Sequence, residues 1–205
     1  MLVSNRMTKD PITVTPDDFL INAKEKMEYG KFHRLPVMSD GRLVGIITDR
    51  DLRVHVGYLA KTKVNGAMTE KALTVKPSAT LEEAAWLFLK HQIGGLPVID
   101  NGNLVGMITS NDVLKAFLDV MGASEPSSAR IDFILEGEEH GLVEASRIVA
   151  REGGNISGVG TYREKFGENP VCYLRVMGGE VERMAQALRA AGFDILGVHG
   201  AGSLP

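Results

Sequence analysis

The chain has 205 residues, 44% of them hydrophobic, with 23 basic and 26 acidic side chains and a formal net charge of −3. At roughly 150 residues per domain this is one or two domains, too apolar for a disordered chain and too evenly charged for the basic face that nucleic acid binding requires. The single cysteine, Cys172, excludes a disulfide framework and a multi-cysteine zinc site, which makes a reducing, cytoplasmic setting the expectation. No run approaches the ~18 apolar residues of a membrane span, and Met1 to Asp10 lacks the apolar core of a signal peptide, so no membrane association is expected.

Taken in order, the first half of the chain is a repeat. Shifted by 61, Val3, Met7 and Thr8 meet Val64, Met68 and Thr69, and Leu35-Pro36-Val37 meets Leu96-Pro97-Val98. The stretch from Gly41 to Asp51 meets that from Gly102 to Asp112. Over residues 3–52 there are 18 identities in 50 ungapped positions, where chance gives about three at ordinary composition. Each unit reads as strand, helix, hairpin, helix. In the second, Thr80 with Glu83 forms a capping box. Leu81, Ala84, Ala85, Phe88 and Leu89 then follow at helical spacing. Apolar runs from Leu96 and Leu104 flank Asn101-Gly102, as those of the first unit flank Asp40-Gly41, both hairpin turn signals. Two tandem copies imply paired sheets sharing one core under a pseudo-two-fold axis, with two related clefts between them.

The chemistry lies at Gly45-Ile-Ile-Thr48-Asp-Arg50-Asp51 and Gly106-Met-Ile-Thr109-Ser-Asn111-Asp112. In each, a strand ends at Thr and a helix begins. The free N–H groups of a helix start favour an anion. The Thr hydroxyl reaches a phosphate oxygen, and the Asp carboxylate accepts both hydroxyls of a ribose. The same residues are also ordinary helix caps, so a nucleotide site and a purely structural cap are both open readings. His33-Arg34 precedes Leu35 where Gly94-Gly95 precedes Leu96, and Arg50 stands where the second unit has Asn111. These cations point an anionic ligand toward the cleft they serve, although adjacent clefts leave Arg34 able to reach either. The glycine pair permits close backbone approach in the other cleft.

On these residues, residues 1–121 resemble the cystathionine-β-synthase (CBS) domain pair, or Bateman module. The resemblance implies a regulatory sensor that binds an adenine nucleotide or S-adenosylmethionine in its clefts. It assigns contacts to Thr48, Asp51, Thr109 and Asp112 and phosphate contacts to His33 and Arg34. Backbone near Ile12 and Leu73, with Pro36 and Pro97 beside it, would line the base pocket.

The helical pattern continues through Val113, Leu114, Phe117, Leu118 and Met121, and residues 122–129 read as a linker. Beyond it Ile131, Phe133 and Leu135 alternate as a strand. A helix is predicted over about Leu142 to Glu152, strands near 155–162 and 170–177, a helix carrying Val181, Met184, Ala185 and Leu188, and a last strand at Phe193–Val198. This βαββαβ order is the ferredoxin-like plan. The tail resembles an ACT domain, a small-molecule sensor that often binds amino acids at its first loop and dimerises. Here that loop would be Glu138, His140, Gly141 and Leu142, with Asn155 opening the second strand; its acidity disfavours a second carboxylate, so a purely dimerising domain and an amino-acid site are both open readings, the first favoured. A repeat pair followed by an ACT-like domain is the layout of acetoin-utilisation AcuB-like proteins.

The five histidines show no metal-ligand spacing, Cys172 reads as a small core residue, and Gly158-Val-Gly160 and Gly200-Ala-Gly202 are too short for a dinucleotide fingerprint. Trp86 aligns with polar Glu25, off the apolar stripe, which reads as a subunit contact or a wide stripe. The expected class is α/β (α+β), with repeats at 1–61 and 62–121 and an ACT-like domain at 130–200. The expected function is a non-catalytic sensor: no metal and no catalytic cofactor, an adenine nucleotide as regulatory ligand, a homodimer, and an unidentified regulated protein. The alternative is an empty-clefted module that scaffolds a partner.

Overall fold

The computed structural model describes residues 1–135, 141–163 and 169–200. The chain divides into two compact units, Met1–Leu114 and Lys115–Pro205.

In the first unit the repeat is visible element by element. Repeat one carries β1 (Thr8–Lys9), α1 (Leu20–Gly30), the hairpin β2 (Arg34–Ser39) and β3 (Arg42–Thr48), and α2 (Asp49–Val54). Repeat two carries β4 (Thr69–Glu70), α3 (Leu81–His91), the hairpin β5 (Gly95–Asp100) and β6 (Asn103–Thr109), and α4 (Ser110–Val120), which runs on into the second unit. Both hairpins turn on residues at positive φ, Asp40 and Gly41 at 49° and 74° and Asn101 and Gly102 at 48° and 83°. That is the mirror-image turn that Asp-Gly and Asn-Gly favour.

The two repeats exchange their first strands. The sheets are ordered β1-β6-β5 and β2-β3-β4, so β1 of repeat one pairs with β6 and β4 of repeat two pairs with β3. The segments before them cross as well. The N–H of Val3 donates to the Ala79 carbonyl and that of Leu81 to the Met1 carbonyl, while Leu20 donates to Thr62 and Val64 to Asp18. Val64 is accordingly buried in the cluster of Leu20, Ala23, Met27, Leu35, Val37, Ile47 and Leu52. The opening strand expected within each strand-helix-hairpin-helix unit instead pairs across the repeats, so each lobe is closed by the other repeat's opening segment. The glycine that begins each Gly-x-x-Thr-x-x-Asp stretch serves this crossing. A Cβ at Gly45 would stand 2.7 Å from the Thr69 carbonyl oxygen, and one at Gly106 would stand 2.7 Å from Met7 Sδ and 2.8 Å from the Thr8 oxygen.

Helical spacing assigned α3 a buried face of Leu81, Ala84, Ala85, Phe88 and Leu89. Leu81, Ala84 and Phe88 are buried, whereas Leu89 is exposed beside Trp86, which is 71% exposed. Eleven residues make three turns, and the stripe drifts off the core before the helix ends. In α4 only Ala116 is buried; Leu114, Phe117 and Leu118 form an exposed apolar face, and Val120 is exposed beside it.

The second unit continues with β7 (Ala129–Ile134), α5 (Gly141–Arg151), β8 (Asn155–Tyr162), β9 (Val171–Met177), α6 (Val181–Ala190) and β10 (Ile195–His199). Its sheet is ordered β10-β7-β9-β8 and every pairing is antiparallel. Ile131, Phe133, Cys172, Leu174 and Val176 project onto Ala145, Ile148, Val149, Met184 and Leu188 of the helices, as period 2 and period 3.6 require. Leu135 and Phe193, expected inside strands, lie just beyond them; the Phe193 ring stacks edge-on against Phe133 with centroids 5.3 Å apart. Asp132 is buried and accepts from Arg130 Nη2 at 2.6 Å, and the Arg130 guanidinium lies 4.5 Å from the Tyr173 ring centroid. That bond to Asp132 raises the Arg130 pKa. Residues 122–129, expected as a linker, are folded back on themselves: Ser128 Oγ donates to the Gly122 and Glu125 carbonyls and accepts from Arg175 Nη1 at 2.9 Å.

Candidate functional site

Both strand-to-helix junctions fold as capping boxes. Thr48 N–H and Oγ1–H donate to Asp51 Oδ2 at 2.8 and 2.6 Å, and Asp51 N–H donates back to Thr48 Oγ1 at 3.4 Å. Thr109 and Asp112 repeat the arrangement at 2.8, 2.6 and 3.4 Å. The cap thus satisfies the first turn locally and occupies one carboxylate oxygen, leaving Oδ1 of each Asp without a bond among the described residues.

A cavity of about 440 Å³ opens beside the second junction, within the range of small-molecule sites at about 300–1,000 Å³. From repeat one it is lined by Asp10, Ile12, Lys31, His33, Arg34 and Pro36, and from repeat two by Gly94, Thr109, Ser110 and Asn111. The strand exchange creates it, because β1 lies along β6 and carries Ile12 to the junction of β6 and α4. His33 and Arg34, at the start of β2, also line this wall, so they serve the junction of the other repeat. Thr48, Arg50 and Asp51 do not line this cavity; shifting its residues by 61 assigns Thr48 and Arg50, with Leu73, Gln92, Gly94, Gly95 and Pro97, to a second, related cleft. Asp112 is bonded to Thr109 but is not itself in the wall.

Arg34 is the distinctive side chain. Its guanidinium lies across the Gly94–Gly95 backbone, close enough that a Cβ at Gly94 would stand 2.8 Å from Nη2 and one at Gly95 2.7 Å from Cδ. No hydrogen bond or ion pair holds it among the described residues. Burial lowers its pKa from the ordinary arginine value, and Asp49 opposes this to a smaller degree. A half-buried guanidinium with its donors unmet demands an anion or water. His33 is more exposed, with Nδ1 3.6 Å from Asp49 Oδ2, a carboxylate that also accepts from Arg53 Nη1 at 2.9 Å. The first loop of the second unit is only partly described: Glu138 and His140 lie outside the described residues, Gly141 is buried at the start of α5, and Leu142 and Asn155 are exposed.

Sequence reasoning missed Asp10, Lys31 and Ser110 as wall residues. Asp10 and Lys31 are at positive φ, 47° and 55°, as are their equivalents Lys71 and Gln92 at 51° and 53°. Lysine and glutamine do not announce a left-handed backbone and a lone aspartate does so only weakly, but the charge differences Asp10/Lys71 and Lys31/Gln92 were visible in the aligned repeats.

The CBS domain family matches residues 3–58 and 63–119, more than half of the chain. The chain belongs to the CBS-domain family, and its first unit is a tandem CBS pair, or Bateman module. It is 35% identical over 143 residues to a CBS domain-containing protein of Dictyostelium discoideum, covering 62% of this chain and 99% of that one. It is 29% identical to the inosine-5'-monophosphate dehydrogenase of Staphylococcus haemolyticus, spanning 95% of this chain but only 42% of the enzyme. Among solved structures, CBSX2 in complex with AMP aligns at 34% identity and a TM-score of 0.53 over 57% of this chain and 96% of that chain. The CBS domain pair of protein MJ0100 in complex with 5-methylthioadenosine and S-adenosyl-L-methionine aligns at 28% and 0.54, over 61% and 98%. A Vibrio cholerae protein named for acetoin utilization, AcuB, aligns at 30% and 0.54, over 62% and 97%. No helix of the described residues is long and apolar enough to cross a membrane, and no three of their His, Cys, Asp and Glu side chains gather to hold a metal ion.

Proposed function

We propose that this protein is a regulatory sensor that binds an adenine nucleotide (AMP, ADP or ATP) or S-adenosylmethionine in the cavity between its CBS repeats. The observation that carries this reading is the unpartnered Arg34 guanidinium in the wall of a nucleotide-sized cavity. A phosphate takes a bidentate contact from Arg34, a hydrogen bond from the Asn111 N–H in the first turn of α4, and one from the Thr109 hydroxyl once it turns away from Asp112. Ile12 and Pro36 supply an apolar wall for the base, and Asp112 Oδ1 accepts from a ribose hydroxyl once the ligand draws it in. Complexes of related pairs with AMP and with S-adenosyl-L-methionine support the ligand class. Binding shifts the pair between conformations only by its differential affinity for them, which is how a non-catalytic module reports a ligand to a regulated partner.

The second unit acts here as an ACT-like, ferredoxin-like domain, read from its βαββαβ order and β10-β7-β9-β8 sheet. Its role is dimerisation, with a small ligand such as an amino acid at the loop before Gly141 as the lesser part. A second copy of the chain also has apolar faces to cover at Trp86 and Leu89 of α3 and Leu114 and Phe117 of α4. The setting is the cytoplasm, in an AcuB-like role.

Calorimetric titration with AMP, ADP, ATP and S-adenosylmethionine tests the sensor. At least one binds below millimolar, and a nucleotide co-purifies with gently isolated protein on mass spectrometry. Failure of all four leaves the scaffold reading, which the exposed helix faces favour.

A further inference from the structure

Arg34 sits between the two strand-to-helix junctions. Its backbone pairs in register with Thr48, the junction residue of the second cleft. Its guanidinium lies over Gly94 and Gly95, and Gly95 pairs in register with Thr109, the junction residue of the first. Gly94 and Gly95 are the positions where repeat two would carry its own His-Arg pair. With Arg34 in this position a Cβ at either glycine would fall inside 3 Å of it, so a side chain there would require the guanidinium to move. The pair of clefts therefore holds one half-buried guanidinium, not two.

The helix starts differ in the same sense. The first cleft has Ser110 at the beginning of α4, whereas the second has Asp49 at the beginning of α2, its carboxylate already paired with Arg53. A phosphate approaching α2 meets a like charge at the donors it needs. Arg50 and Lys71 offset this only from exposed, solvated positions, where charge is screened and worth little.

We propose that the module takes one phosphorylated nucleotide per chain, seated against Ile12, Thr109 and Asn111, because both clefts draw on the single shared guanidinium of Arg34. The second cleft is left to a nucleoside without phosphate. This rests on the nucleotide reading above. Titration of the full chain with AMP, followed by titration of the AMP-saturated chain with adenosine, tests it. AMP saturates at one per chain, Arg34→Ala weakens it at least ten-fold while keeping the native melting transition, and Arg34→Lys, which keeps the charge without the fork, falls between them. Adenosine then adds one further equivalent. Two AMP of equal affinity, an unchanged affinity in Arg34→Ala, or no adenosine binding to the AMP-saturated chain overturns the shared guanidinium while sparing the nucleotide reading. Absence of any AMP binding to the wild-type chain removes that reading itself.

Discussion

The threonines at the two junctions do the same structural work, but only one of them lines the described cavity. Each accepts an N–H bond from the Asp three residues on and donates its hydroxyl to the same carboxylate. Thr48→Val and Thr109→Val should each cost about 1 kcal/mol of stability, the value of a lost N-cap, read by denaturant unfolding. Only Thr109 lines the cavity, so Thr109→Val should weaken AMP binding by the greater factor in calorimetry; the reverse order contradicts the placement. Cys172 is buried in the second unit, and burial, with Asp132 contributing, pushes its thiol from 9.0 up to about 11. The folded state thus keeps a proton that the unfolded chain releases, so the stability this group contributes is intact below pH 9 and is lost as pH rises toward 11. Alkylating reagents should leave Cys172 untouched in the native protein at pH 8 and modify it on unfolding, and Cys172→Ala should flatten the alkaline loss of stability.

At the scale of elements, the glycines of the two junction motifs are packing residues rather than ligand residues. Gly106→Ala would drive a methyl against Met7 Sδ and the Thr8 carbonyl, a backbone atom that cannot swing away. The expected cost is about 1–3 kcal/mol, measured as a lower urea midpoint, and Gly45→Ala should behave alike against Thr69. The hairpins, capping boxes and tail strands were legible because turn chemistry and apolar period act locally: Asn101-Gly102 fixes its own turn wherever it sits. The strand exchange was not legible. Nothing in Met7-Thr8 or Met68-Thr69 says which hairpin it joins, since a two-residue strand has no period to read. The placement of Ile12 beside Thr109 followed from that exchange and was hidden with it. Leu89 and the α4 face misled for a related reason: spacing identifies an apolar stripe but not whether this chain or another molecule covers it.

At the scale of the whole molecule, the exchange makes the CBS pair indivisible. Residues 1–61 lack the strand that closes their own sheet, and residues 62–121 lack theirs. Each fragment expressed alone should show no cooperative melting by circular dichroism, while the intact pair melts as a unit; a folded single repeat would contradict the exchanged sheets. The central claim is that the cavity of Ile12, Arg34 and Thr109 is the nucleotide site, and a crystal structure of the full chain grown with AMP tests it most directly. The account predicts a phosphate within hydrogen-bonding distance of the Arg34 guanidinium and of Thr109, with adenine against Ile12. AMP bound elsewhere, or in this cavity with its phosphate away from Arg34, would contradict it.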